Sequence, residues 1–297
     1  MLSHKEKFVY THTQMGSFHT QHNEDAYVVA DLGQNLTLLA VLDGCSMGIE
    51  SHFSATLVVK LLRKITTTLS YEAFAKRQVL TPIACLERSM KALFQDLKIL
   101  KNQWFLQREE LLTTLVIGVL DRTQCQAELL VVGDGLIGHN GHYHEYDQDN
   151  RPDYLGYHLD LPFDKWYANQ QQRLSLPNIQ YLSLCTDGVF SFQPFDALSY
   201  PHIEEQAILD HILAVQPSQP VENWLWQAFR SLELDYGLRP TDDCTVIRVL
   251  LKAIHGIFLK WINVPSIPSL NGLGCWSHCN PSAAGFQLLK ACIVNSI

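Results

Sequence analysis

The sequence predicts an α+β fold, a four-layer αββα sandwich with two antiparallel β-sheets inside and helices outside. Three observations lead there. Apolar, β-rich runs lie next to one another with short turns between them, which favours antiparallel pairing. Helical periods come in blocks rather than alternating with single strands, so the helices form layers of their own. The chain of 297 residues is 47% hydrophobic and 18% charged, enough to bury a large core without disulfide staples.

Each element has its own signal. Residues 26–31 (AYVVAD) and 36–43 (LTLLAVLD) flank Gly33-Gln34-Asn35 and read as a hairpin. A helix follows, with Ile49, Phe53, Leu57, Leu61 and Ile65 recurring every four residues and Val58 and Leu62 beside them. Thr81-Pro82 opens a second helix, a capping residue followed by a proline at the first helical position. Its apolar stripe is Ile83, Leu86, Met90, Leu93, Leu97 and Leu100. Strands then return at 112–121 and 127–134, and at 136–139 and 142–146 around Asn140-Gly141, the strongest short hairpin signal. Residues 179–187 make another strand, 203–215 and 220–234 two helices, and 243–251 a last strand. In the second of these helices Trp224 joins the apolar stripe of Val221 and Leu225, which predicts core packing.

Residues 1–252 hold all 30 acidic residues, and residues 253–297 hold none. The second stretch also carries Pro265, Pro268 and Pro281 and three of the eight cysteines. It is expected to lie outside the domain. Cys275 and Cys279 flank His278, but no second ligand pair follows, so a zinc site is not expected there.

Composition narrows the function. With 22 basic and 30 acidic residues the formal net charge is −8, so no nucleic-acid partner is expected. The first residues lack the apolar run of a secretory signal, and no stretch is long and apolar enough for a membrane span. Most cysteines stand alone inside apolar runs, the pattern of reduced core thiols in a cytoplasmic protein.

The acidic residues gather at strand ends. Asp43, Asp134 and Asp187 each finish or follow an apolar run and precede a glycine, while Glu24-Asp25 and Asp242-Asp243 open strands. A single Asp-Gly is an ordinary turn. Three of them with two acidic pairs, at the rim of one core, would repel one another unless cations sat between them. Oxygen-only ligands suit magnesium or manganese, and aspartates holding two such ions suit phosphate-ester hydrolysis.

These residues carry a resemblance. Asn23-Glu24-Asp25-Ala26, Ala40-Val41-Leu42-Asp43-Gly44, Thr113-Thr114, Gly133-Asp134-Gly135, Cys185-Thr186-Asp187-Gly188 and Asp242-Asp243-Cys244-Thr245-Val246 follow one another as in the metal-dependent protein phosphatase 2C family. The set resembles a divergent, bacterial-type branch of that family over residues 8–252. That family has two antiparallel sheets flanked by helices.

The resemblance implies a protein serine/threonine phosphatase, a cytoplasmic monomer acting on phosphorylated proteins. It implies two Mg or Mn ions and a third, weaker one. Asp43 would bridge the two ions and the Gly44 carbonyl would bind one of them. Asp187 and Asp242 would hold the second, and Asp134 would help hold the third. Glu24 and Asp25 would act beside the metals, partly through ordered water. The nucleophile would be a metal-bridging water, with no phosphoenzyme.

The sequence departs from the family's pattern in places. The family commonly has a phosphate-gripping arginine four residues before the glutamate, and Thr20 stands there, with His19 and His22 as weaker substitutes. Cys45-Ser46-Met47-Gly48 follows Asp43-Gly44 where the family often has His or Met and a glycine pair, and Asp243 stands where asparagine is common. The rival implication is a phosphatase-like domain that binds a partner without turnover. Cys45 has no histidine beside it in sequence and is not expected to be a nucleophile. His139, His142 and His144 read as hairpin histidines rather than as a metal cluster.

Overall fold

Seven consecutive buried residues, Leu36–Leu42, form strand β3, and their alternation explains the layers. Leu38, Ala40 and Leu42 point into one core with the first two helices, and Leu39 and Val41 into a second core between the sheets. A strand covered on both faces reads as an unbroken apolar run rather than as an alternating one. The computed structural model describes residues 9–148, 153–195, 203–214 and 223–251. The stretch 253–297, with Cys275, His278 and Cys279, lies outside the described residues.

In chain order the elements are β1 (Val9–Gln14), β2 (Ala26–Gly33), β3, α1 (Ser51–Lys76), α2 (Pro82–Trp104), β4 (Leu115–Asp121), β5 (Gln126–Val132), β6 (Gly135–His139), β7 (His142–Tyr146) and α3 (Phe163–Ala168). They continue with β8 (Arg173–Leu176), β9 (Tyr181–Cys185), β10 (Phe192–Pro194), α4 (Glu205–Leu213), α5 (Trp224–Tyr236), β11 (Leu238–Pro240) and β12 (Cys244–Leu250). One five-stranded sheet has the order β1-β12-β9-β6-β7 and the other β2-β3-β4-β5-β8; β10 and β11 form a small separate ribbon. Every pairing is antiparallel.

Three apolar clusters stack in sequence. α1 and α2 cover the β3 sheet through Leu62, Ile65, Leu86 and Leu93. Between the sheets lie Val116, Leu129, Ile137, Leu184 and Ile247. Ile212, Leu225, Phe229 and Leu232 of α4 and α5 cover the other sheet over Val246. The architecture is the αββα sandwich that the sequence predicts.

Local chemistry sets several boundaries. The Thr81 hydroxyl accepts the Ala84 N–H at 3.4 Å and Pro82 stands at the first position of α2, the capping arrangement of P-initiated helices. Asn140 and Gly141 have φ of 47° and 84°, which the tight β6–β7 turn requires. α1 begins after Ile49, which is 64% exposed rather than part of the stripe. Trp224 is buried, and Trp226 is exposed.

β1, α3, β8, β10 and β11 carry no sequence signal strong enough to predict them. β1 and β8 are edge strands, each paired on one side only. Of VYTHTQ only Tyr10 is buried, and of RLSL only Leu176. Polar edges of this kind resist pairing with other chains and leave no apolar period to read.

Candidate functional site

The backbone around Asp43 is fixed before its carboxylate does anything. The Asp43 carbonyl accepts the Thr114 N–H at 2.9 Å and the Thr113 hydroxyl at 2.8 Å, and its own N–H donates to the Thr114 hydroxyl at 3.2 Å. Gly44 bridges to Thr113 and donates to the Glu24 carbonyl at 3.2 Å. A Cβ on Gly44 would stand 2.1 Å from the Ser51 carbonyl oxygen, so the approach of α1 to this turn demands glycine.

Four further segments reach the same place. Glu24 and Asp25 precede β2. The Ser46 and Ser51 hydroxyls donate to the two Glu24 carboxylate oxygens at 2.7 and 2.5 Å. The Thr186 hydroxyl donates to Asp25 at 2.7 Å, while Asp25 Oδ1 is buried without a partner. Asp187 opens a 3-10 turn, Asp187–Phe190, after β9. A Cβ on Gly188 would lie 1.8 Å from the Asp243 carbonyl oxygen, so this turn packs directly on the segment before β12. Asp134 sits between β5 and β6, preceded by Gly133 at φ 84°, and its Oδ1 is also buried without a partner.

Asp243 organises the near side of the site. Its carboxylate is buried and accepts the Gly16 N–H at 2.7 Å and the Glu24 N–H, and it faces His19 Nδ1 at 2.8 Å. His19 Nε2 lies 3.3 Å from Asp242. Neither ring nitrogen of His19 is therefore free. His22 is exposed, with its ring 4.4 Å from that of His52, at the start of α1.

The electrostatics are those of crowded like charges. Burial, then the charges of Asp187, Asp25, Asp242 and Glu24, push the Asp43 carboxyl well above its ordinary range. Burial and the charges of Asp187 and Asp243 do the same to Asp25, against the hydroxyls of Thr186 and Thr245. Asp187 is pushed up to about 6 by burial, Asp242 and Asp147, and Asp134 to about 6 by burial, Asp187 and Asp147. The leading charges acting on these four residues are all carboxylates. His19 is the imidazole at their edge. Burial works against its charge, but the hydrogen bond to Asp243 and the charges of Asp243, Asp242 and Glu24 prevail and raise its pKa.

Thus Glu24, Asp25, Asp43, Asp134, Asp187 and Asp242 share one field, and Gly44 turns beside it. Hard, anionic oxygens, two of them buried and unpartnered, form a donor set that fits Mg or Mn. Among the described residues, no three His, Cys, Asp or Glu side chains are arranged to hold an ion by themselves. Any ion here would take part of its shell from water, as Mg commonly does. Sequence reasoning missed Asp147 and the anchoring part of Asp243. Asp147 directly follows β7, but lacks the glycine that flags the other three turns.

Two other features stand apart from this set. Cys45 is buried against Leu112 and Tyr154. His139, His142 and His144 share one face of the β6–β7 hairpin, and the His139 ring lies 5.6 Å from that of His142 and 5.1 Å from that of His144.

A family model described as protein phosphatase 2C matches residues 15–228. No curated protein matches the chain. Among solved structures, a bacterial serine phosphatase is similar with a TM-score of 0.54 and 15% identity, over 82% of this chain and 98% of its own. The serine/threonine phosphatase Stp1 from Staphylococcus aureus gives 0.54 and 16%, over 82% and 95%. The phosphatase domain of the cell fate determinant SpoIIE from Bacillus subtilis, solved with a fragment of its regulatory domain, gives 0.51 and 16%, over 82% and 64%. At such identities these likenesses are of fold.

Proposed function

The chain belongs to the protein phosphatase 2C family, and from that premise we propose that it is a metal-dependent phosphatase hydrolysing phosphoserine and phosphothreonine in proteins. The observation that carries the reading is the group of carboxylates whose protons are held by burial and then by one another's charge, with no lysine or arginine among their leading influences. A domain that only binds has no use for that repulsion; a cation site does.

Asp43, the Gly44 carbonyl, Asp187 and Asp242 would hold two ions. Asp134 would contribute to a third. When bound, Mg or Mn would supply positive charge for the phosphoryl oxygens and a water of lowered pKa for attack on phosphorus. Glu24, held by Ser46 and Ser51, would orient water with its remaining lone pairs, and Asp25 would complete the acidic wall beside it. With His19 engaged by Asp243 and Asp242, the exposed His22 would be the remaining histidine donor to a phosphate oxygen.

Thr20 in place of an arginine favours the rival, a phosphatase-like domain that binds a partner without turnover. Hydrolysis of a phosphoserine peptide with manganese, with and without chelator, separates the two. No metal-dependent release of phosphate would sink the enzyme reading.

Thr20 is exposed, so Thr20→Arg should be accepted without repacking. A charge-assisted contact to phosphate is worth about 1.5–3 kcal/mol, so the Michaelis constant for p-nitrophenyl phosphate should fall about tenfold. An unchanged constant would mean that the segment before Glu24 does not reach the phosphate.

Residues 1–252 are proposed as the whole catalytic domain, in a cytoplasmic monomer. No helix among the described residues is long and apolar enough to cross a membrane. Truncation after Lys252 should leave melting and hydrolysis nearly unchanged. A large loss of either would place residues 253–297 within the working unit.

A further inference from the structure

We infer that His19 and Asp243 form a latch that holds the loop 16–24 against the start of β12, which makes His19 a positioning residue for Glu24 rather than a phosphate ligand. The kinetic part of this inference rests on the phosphatase reading above; the geometric part does not.

The loop joins β1 to β2, and its first half is zipped onto the segment before β12. Ser17 N–H donates to the Pro240 carbonyl at 3.0 Å, Phe18 N–H to the Thr241 carbonyl at 3.0 Å, and His19 N–H to the Gly16 carbonyl at 3.1 Å. A Cβ on Gly16 would meet the Asp242 carbonyl carbon at 2.3 Å, so the two backbones touch. The second half of the loop turns away and must return to place Glu24.

Asp243 makes that return. One oxygen accepts Gly16 N–H at 2.7 Å; the other accepts Glu24 N–H and meets His19 Nδ1 at 2.8 Å. Both ends of the loop and its middle thus converge on one carboxylate that is 1% exposed. A carboxylate suits these partners in this chain. It offers acceptors on both oxygens, whereas an amide would turn an N–H₂ toward one set of donors. His19 completes the arrangement by reaching Asp242 with its other nitrogen, 3.3 Å away, while the Asp243 N–H donates to the same Asp242 oxygen at 2.8 Å. The imidazole therefore ties together Asp243, which anchors Glu24, and Asp242. To grip a phosphate it would have to abandon both.

The test compares the full chain with His19→Ala, His19→Asn, Asp243→Asn and the His19→Ala/Asp243→Asn double variant. Steady-state hydrolysis of p-nitrophenyl phosphate with manganese is measured alongside amide hydrogen exchange across residues 16–24. His19 lies at the rim, so its variants test the latch even if Asp243→Asn does not fold. His19→Ala should lower kcat about tenfold, the scale of one charged hydrogen bond, with KM within about twofold. The Glu24 amide should exchange faster in that variant. His19→Asn, whose amide can stand where Nδ1 stands, should recover most of the rate and protection. The double variant should be no worse than Asp243→Asn alone, the mark of residues acting as one unit.

A raised KM with kcat preserved in His19→Ala would make His19 a phosphate ligand and overturn the latch, as would effects that simply multiply in the double variant. If the wild type turns over no substrate, the phosphatase reading fails and the exchange data decide alone. Unchanged protection of Glu24 in His19→Ala would then sink the latch, and faster exchange would support it.

Discussion

Asp43→Asn should reduce turnover by about three orders of magnitude or more, and excess EDTA should do the same to the wild type. The side chain projects from a turn whose backbone is fixed by Thr113 and Thr114, so the substitution removes charge and leaves geometry. Stabilisation by a bound metal ion is worth several kcal/mol in the transition state, and each 1.4 kcal/mol is a factor of ten. The check is single-turnover and steady-state hydrolysis at saturating manganese. A variant within tenfold of wild type would remove Asp43 from the centre of the mechanism. Activity that survives the chelator would remove the metal.

The second large effect is on the metal-free protein. Asp187 ordinarily titrates near 3.8, and in the fold it is pushed up to about 6. Between those values the native state keeps a proton that the unfolded chain has lost. Stability is therefore lost as pH rises through this window, and the full penalty is present above it. Asp187 is only partly covered, so solvent reduces the penalty to about 1–2 kcal/mol, equivalent to roughly 3–6 °C in a domain of this size. In EDTA, Asp187→Asn should melt higher than wild type at pH 7.5 by that amount, with the gap shrinking as pH falls below about 6 and closing only below 3.8. Burial holds His12, His139 and His211 below their ordinary values, which costs stability as pH falls. The difference between variant and wild type removes their contribution. Manganese should reverse the order of the two proteins. A variant that melts lower than wild type at pH 7.5 in EDTA would show that Asp187 is structural.

What the sequence made legible follows from the range over which its signals act. Asp43, Asp134 and Asp187 were findable because each follows an apolar run and precedes a glycine, and the structure has each at such a turn. The central strands were findable because burial on both faces makes unbroken apolar runs. β1 and β8 were not, because an edge strand with one buried residue has no period to detect. Asp243 appeared as a neighbour of Asp242, yet its contacts are with Gly16, His19 and Glu24, and no local pattern encodes a partner 227 residues away. No sequence signal marks His52, and only the fold sets its ring against that of His22. His19 looked like a spare donor for phosphate, because the carboxylates that occupy it come from the other end of the domain.

That last separation bears on how the protein is made. β1 lies at residues 9–14 but has a single neighbour, β12, at residues 244–250. β12 in turn fills the gap between β1 and β9. A chain emerging from the ribosome can build the β2-β3-β4-β5 meander as it appears, since those strands pair with near neighbours in sequence. The second sheet can join β7, β6 and β9 in the same way, but its other half must wait. Until Cys244–Leu250 is synthesised, β1 has no partner and one edge of β9 stays open, an exposed template for wrong pairing during translation. Asp242 and Asp243 arrive at the same moment, so a nascent chain shorter than that has an incomplete acidic centre and an unanchored Glu24. Closing so long a loop is slow compared with forming hairpins. The insertion of the last strand is thus the step at which sheet, loop and acidic centre are completed together.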